Sequence, residues 1–147
     1  MSNSFEEFQE EVLEFLRDEL AQPVYETGIP DGHTVKRNKE GRVDPYVAVQ
    51  FGDVYASGAR SFLGAVGHDY SMPISIQVLS PTPTIGRRIS NRIVSLLLGR
   101  QFQFAPGGIE KRPVGGAILT ISEADSASEV YMVPSWYRVT VQFFNED

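Results

Sequence analysis

The sequence predicts an α+β fold with two layers, in which a largely antiparallel β-sheet is flanked by two main helices. Two segments, near residues 4–20 and 83–98, carry apolar residues at every third or fourth position, which is typical of amphipathic helices. Several shorter segments alternate apolar and polar residues, which is typical of strands with one buried face. The elements follow in the order helix, strands, helix, strands, and this order favours a sheet packed against helices.

Length and composition predict a single globular domain that covers residues 1–147. Hydrophobic residues make up 41% of the chain and charged residues 22%, a balance that argues against wholesale disorder. The chain contains no cysteine. This excludes a disulfide scaffold, a thiol nucleophile and a cysteine zinc site.

The charge is distributed unevenly along the chain. The net charge is −6, and residues 1–20 hold seven acidic residues against Arg17, so the rest of the sequence is balanced. Without an excess of basic residues, we do not expect sequence-specific nucleic-acid binding. The N-terminus lacks the features of a signal peptide and no apolar run could span a bilayer, so we expect a cytoplasmic protein with no membrane partner.

The first predicted helix begins at Ser4, because Ser4 and Glu7 form an S-x-x-E capping box, and it ends before Pro23. Acidic residues crowd its N-terminal half, where the helix dipole favours negative charge. Its apolar stripe consists of Phe5, Phe8, Val12, Leu16 and Leu20.

Strands are predicted between the helices at residues 24–25, 46–51 and 72–79, with an edge strand at 33–37. Residues 52–71 are rich in small residues and are long for a loop inside a compact domain. We interpret them as a functional insertion or a distorted hairpin.

The second predicted helix has Thr82 as its N-cap and Pro83 in its first helical position, and Gly99 ends it. Its buried stripe consists of Ile85, Ile89, Ile93, Leu96 and Leu97. A loop and three strands follow, at residues 101–116, 117–122, 129–133 and 135–144.

The sequence contains no recognisable catalytic or metal-binding motif. His33 and His68 lie in glycine-containing turns, where a surface side chain is the simpler interpretation. Asp44, Asp53 and Asp69 lie at strand ends, where acidic residues commonly cap turns, and they lack the dense spacing of a calcium loop. We therefore expect no enzyme activity, no metal and no cofactor, while a triad with a distant serine stays open.

Two features favour binding to other proteins over catalysis. Arg88 and Arg92 lie one turn apart on the second helix, and they either form a solvated face or meet acidic residues of this or a neighbouring subunit. The two glycine-rich loops carry apolar side chains that either fold back onto the core or mark contact surfaces. The candidate interface residues are Arg60, Phe62, Leu63, Arg88, Arg92, Phe102 and Phe104.

Two stretches of the sequence resemble a known family. The first is Asp-Pro-Tyr-Val-Ala-Val-Gln-Phe-Gly at residues 44–52. The second is Ser-Pro-Thr-Pro-Thr-Ile-Gly-Arg-Arg-Ile at residues 80–89, which leads into a helix ending in Leu-Leu-Leu-Gly at 96–99. With the order of elements over residues 4–144, they resemble the tail terminator (tail completion) proteins of long-tailed bacteriophages, especially those infecting actinobacteria.

The resemblance implies a structural virion protein without catalytic residues or a cofactor. It implies a homo-oligomeric ring of six subunits that caps the growing tail tube, stops its polymerisation and offers a surface to the head–neck connector. The implied partners are other copies of the chain, the tail tube protein and the connector, in a virion assembled in the host cytoplasm. In such a heterologous ring we expect the acidic first helix to face the arginines of the second helix, and residues 52–71 to reach the tube.

Two other interpretations stay open. One is a neck or head-completion adaptor, a class of protein that also has a small α+β fold and also assembles into rings. A small enzyme or ligand-binding domain would instead have a pocket between the helices and the sheet. An enzyme should gather His68, Asp69 or another titratable group in a cleft, whereas a ring protein should leave Phe62 and Phe104 exposed in the isolated monomer.

Overall fold

The computed structural model describes residues 4–27, 37, 41–56, 68–112, 118–122 and 129–143. Within these residues the helices are α1 (Ser4–Glu19) and α2 (Pro83–Leu98). The strands are β1 (Val24–Glu26), β2 (Tyr46–Phe51), β3 (Tyr55–Ala56), β4 (His68–Ser80), β5 (Ile109–Lys111), β6 (Leu119–Ser122) and β7 (Glu129–Phe143).

The strands form one sheet with the order β1-β2-β4-β7-β5, while β3 also pairs with β4 and β6 with β7. β1 runs parallel to β2, and the remaining pairings described are antiparallel. The centre of the sheet is an unbroken ladder between β4 and β7, from His68 opposite Phe143 to Ser80 opposite Tyr131. The predicted α+β fold with a largely antiparallel sheet is confirmed.

Both helices pack on the same face of the sheet, which we call the inner face. Residues two apart on a strand share a face, and Ile74, Ile76 and Val78 of β4 are fully buried there. From α1, Gln9 Nε2 lies 3.9 Å from the sulfur of Met72 on the same face of β4. The buried side chains of α1 are Phe8, Val12, Leu13 and Leu16.

The start of α2 lies where the sequence predicts it. The Thr82 hydroxyl accepts a hydrogen bond from the main-chain N–H of Ile85 at 3.2 Å, and Pro83 opens the helix. Gly86 faces the sheet, where an added Cβ would lie 2.7 Å from Ser80 Oγ and 2.7 Å from Val133 Cγ2. Glycine therefore allows α2 to approach the sheet more closely than a residue with a side chain would.

Some strands differ from the predictions. β5 lies inside residues 101–116, which were predicted to be a loop. β7 continues through Pro134, where two separate strands were predicted. Within residues 52–71, the structure places β3 and the first part of β4, which begins at His68.

The predicted edge strand at residues 33–37 lies outside the described residues, except for Arg37. The main chain of Arg37 forms an isolated antiparallel bridge with Val43.

Candidate interaction surfaces

The arginines of α2 lie on the solvent side of the helix layer. Arg87, Arg88 and Arg92 are exposed, and α2 contains no acidic residue. Arg92 Nη2 donates a hydrogen bond to the main-chain carbonyl of Glu19 at 3.2 Å. Arg92 therefore satisfies a terminal carbonyl of α1 within the same chain.

Arg88 has a different setting from Arg92. Within the part of the chain that the structure describes, Arg88 makes no hydrogen bond or salt bridge. Of the two arginines predicted to form an interface, Arg88 is thus available to a partner, whereas Arg92 is already bound to α1.

The acidic residues of α1 form the counterpart of these arginines. Glu10 and Glu14 are exposed and lie one turn apart, and the Glu11 carboxylate accepts a hydrogen bond from the main-chain N–H of Gln103 at 3.1 Å. These residues border an open groove of about 640 Å³ along α1. The groove is lined by Glu6, Glu7, Gln9, Glu10, Glu11, Glu14 and Gln103.

The two charged helices do not neutralise each other within one chain. Among the described residues, no salt bridge joins an acidic side chain of α1 to an arginine of α2. One salt bridge away from the helices joins Arg138 of β7 to Glu110 of β5 at 3.0 Å. The helix layer therefore presents one acidic surface and one basic surface to the outside.

The structure corrects the placement of Phe102. Its side chain is only 2% exposed, and its ring lies edge-on to Phe8 and Phe15, with centroids 5.7 and 5.8 Å apart. The Arg100 guanidinium lies 4.4 Å from the centroid of Phe15 and 5.5 Å from that of Phe102. Phe102 has folded back onto the core, the other alternative that the sequence left open, because α1 offers it two aromatic neighbours.

Phe104 is partly buried and packs against the same core. A ring protein was expected to leave Phe104 exposed in the monomer, and the structure exposes it only in part. Arg60, Phe62 and Leu63 lie outside the described residues, so their assignment to an interface stays a prediction.

The described residues contain no arrangement of side chains suited to a metal ion. No group of three acidic or histidine side chains there could hold a metal ion. His68 and Asp69 are consecutive residues of β4, and their main chains lie opposite Phe143 and Gln142. Burial raises the pKa of Tyr137, but this ring is fully enclosed by the core.

The space between the helices and the sheet is filled by apolar side chains. Every buried side-chain nitrogen or oxygen in the described part of the chain has a hydrogen-bond partner. The described groove lies beside α1 and not between the helices and the sheet.

No family model matches the chain, and no curated protein is significantly similar to it. Neither helix in the described residues is long and apolar enough to cross a membrane.

Proposed function

We propose that the protein is a structural subunit of a bacteriophage virion, a tail terminator that assembles into a ring of six copies. The ring caps the tail tube, ends its polymerisation and joins the tail to the head or neck. Its partners are other copies of the chain, the tail tube protein and the head–tail connector. It acts by binding, without a catalytic step or a cofactor.

The separation of charge in the helix layer is the observation that carries this proposal. A ring with cyclic symmetry requires two different and complementary surfaces on each subunit. Arg88 of α2 is exposed and has no partner within the described part of its own chain, and Glu10 and Glu14 are exposed on α1. The basic surface of one copy can therefore bind the acidic surface of the next.

The resemblance of residues 44–52 and 80–89 to tail terminators supports the biological role of this ring. The first stretch contains β2, and the second contains the turn from β4 into α2. Both build the core and set the position of the arginine-bearing helix.

The first test is the native mass of the protein over a range of concentrations at low and high salt. We expect a six-copy species at low salt that dissociates at high salt, because salt screens exposed charges. Arg88→Glu should abolish this species, while Lys111→Glu should retain it, since Lys111 carries the same charge on β5 outside the helix layer. Circular dichroism should be unchanged in both variants.

Polymerising tail tubes provide the second arm of this test. A terminator should shorten the tubes, as measured by electron microscopy, and Arg88→Glu should not. A ring that forms without limiting tube growth would favour the neck adaptor. A chain that stays monomeric even when tubes are present would contradict the ring.

A further inference from the structure

A small pocket lies where β5 pairs with β7. Within the described residues it is lined by Glu110, Lys111, Arg112 and Arg138, and all four residues are exposed. Its volume is about 250 Å³, which is below the roughly 300–1,000 Å³ of pockets that enclose a whole drug-sized ligand. This pocket, which we call the β5 pocket, is therefore suited to one small chemical group.

Strand pairing fixes the positions from which the charged groups of the β5 pocket extend. Glu110 lies opposite Arg138, and Arg138 Nη2 donates a hydrogen bond to Glu110 Oε2 at 3.0 Å. Lys111 belongs to the same ladder. The main-chain N–H of Arg112 donates to the Trp136 carbonyl at 2.8 Å, which continues the pairing one residue beyond β5. The lining residues are thus held by a sheet and not by a free loop, and such a site is more precisely built.

The β5 pocket has an excess of positive charge. Its lining combines three cationic side chains with one carboxylate, a net charge of +2. The carboxylate of Glu110 is bound to Arg138, so the excess belongs to Lys111 and Arg112. Residues 113–117, which follow directly, read Pro-Val-Gly-Gly-Ala and contribute no charge. The chemistry of the β5 pocket therefore favours an anion.

The acidic residues of α1 lie on the other side of the sheet from the salt bridge of this pocket. Tyr137 and Val139 are the neighbours of Arg138 on β7, and both are buried on the inner face. Successive residues of a strand point to opposite faces, so Arg138 and Glu110 lie on the face opposite the helices. The negative charge of the chain is concentrated on α1, within the helix layer. It therefore does not exclude an anion from the β5 pocket.

The charge of the pocket discriminates between classes of anion. A carboxylate carries one negative charge and two acceptor oxygens. A phosphate monoester carries about −1.5 to −2 at pH 7 and has three strong acceptor oxygens, which matches the two positive charges in excess. Arginine can bind two phosphate oxygens at once through its planar guanidinium, and lysine adds a compact positive charge.

We propose that the β5 pocket binds a dianionic phosphate group, with Lys111 and Arg112 as its main ligands. The phosphate is either free inorganic phosphate or the terminal phosphate of a nucleotide, since both carry this charge. An internal phosphodiester of a nucleic acid carries a single charge and fits less well. The site goes beyond the proposed ring, because it lies on β5 and β7 and uses none of the residues that join the subunits.

Titration calorimetry of the full chain at constant ionic strength tests the site with small probes. We expect saturable binding of methyl phosphate, with a Kd at least about tenfold lower than that of dimethyl phosphate or acetate, because one charge-assisted hydrogen bond is worth this factor. Inorganic phosphate and a nucleoside 5′-monophosphate separate the two sources. Equal affinity assigns the site to phosphate alone, and tighter binding of the nucleotide assigns it to a nucleotide. A wild type that does not bind methyl phosphate, or binds acetate equally well, overturns the proposal.

Two variants of the pocket should change the affinity in opposite directions. Arg112→Gln should raise the Kd for methyl phosphate at least about tenfold, because a charged ligand is lost. Glu110→Gln should lower the Kd, because it removes a negative charge and frees Arg138 for the phosphate. An unchanged Kd in Arg112→Gln, or weaker binding by Glu110→Gln, rejects the site.

The control is an exposed arginine outside the pocket. Arg88→Glu on α2 should keep the wild-type affinity for methyl phosphate, although the proposed ring fails in this variant. Arg112→Gln should in turn keep the ring. Failure of the ring is therefore distinguishable from failure of the phosphate site, and circular dichroism should be unchanged in every variant.

Discussion

Tyr137 shows how a polar side chain is accommodated in the core of this sheet. The side chain is fully buried, and its hydroxyl lies 3.2 Å from Ser135 Oγ. Ser135 Oγ in turn donates to the carbonyl of Ile76 at 3.3 Å. The alternation of the last strand predicts one face that contains Tyr137, but Ile76 belongs to another strand and local sequence does not pair them.

Burial of Tyr137 should make the protein less stable at alkaline pH. Desolvation raises the pKa of this hydroxyl above 10.0, and the hydrogen bond between Tyr137 and Ser135 lowers it in part. The unfolded chain releases this proton near pH ~10, so the stabilising contribution is complete below that pH and is lost as pH rises through the folded pKa. In urea melts, the wild type should lose stability more steeply above pH ~10 than Tyr137→Phe. Parallel curves for the two proteins would contradict this assignment.

At the scale of the element, α2 is an amphipathic helix, and truncating a buried side chain should cost more stability than truncating an exposed one. Ile89 is 6% exposed and packs in the core, so Ile89→Ala should lower the free energy of unfolding by about 2–5 kcal/mol. Leu98 lies at the end of the same helix and is 46% exposed, so Leu98→Ala should change it by only about 0.5 kcal/mol. Chemical denaturation of both variants measures the difference. Equal losses would mean that the buried face of α2 is assigned incorrectly.

The alternation of apolar and polar residues predicts β2 well, whereas it does not predict the three-residue β5. The bounds of β2, at Tyr46–Phe51, agree with the prediction because Val47, Val49 and Phe51 are apolar at every second position, and the first two are buried. β5 was missed because Ile109–Lys111 has too few residues to show a period, and it follows two glycines. Its strand conformation depends on pairing with β7, which is a contact between distant parts of the chain.

Pro134 lies where the sequence predicts a break between two strands, whereas β7 continues through it. Proline cannot donate to a ladder, so the sequence suggests a break between two strands. In the structure, Pro134 directs its backbone to the same side as Trp136, away from β4. On that side β6 pairs with residues 129–132 and β5 with residues 137–139. No ladder hydrogen bond from this residue is required between them, and the strand continues.

The candidate interface was predictable where it depends on helical periodicity. Arg88 falls outside the apolar stripe of α2, and it is exposed as that position implies. Phe102 was not predictable, because a glycine-rich context says nothing about the two rings of α1 that cover it. The exposure of Arg92 was predictable from its position on α2. Its hydrogen bond to the Glu19 carbonyl at the end of α1 was not, because that contact joins distant parts of the chain.

At the scale of the whole molecule, the two layers have different surface properties. The helix layer is divided into an acidic part on α1 and a basic part on α2. In the part of the chain that the structure describes, the sheet ends in β1 on one side and in β5 and β6 on the other. The proposed ring depends on the contrast within the helix layer, and it requires that each contact joins α2 of one copy to α1 of the next.

Exchanging the charges between two variants tests this head-to-tail contact directly. Arg88→Glu should fail to assemble because the arginine available for the contact becomes acidic. Glu10→Arg with Glu14→Arg should fail because the two exposed carboxylates of the contact become basic. An equimolar mixture should form a ring of six with the two variants alternating, since each contact then joins opposite charges and six is an even number. Native mass spectrometry with one variant isotopically labelled would show three copies of each. Rings formed by either variant alone, or a mixture that stays monomeric, would contradict a contact between α2 and α1.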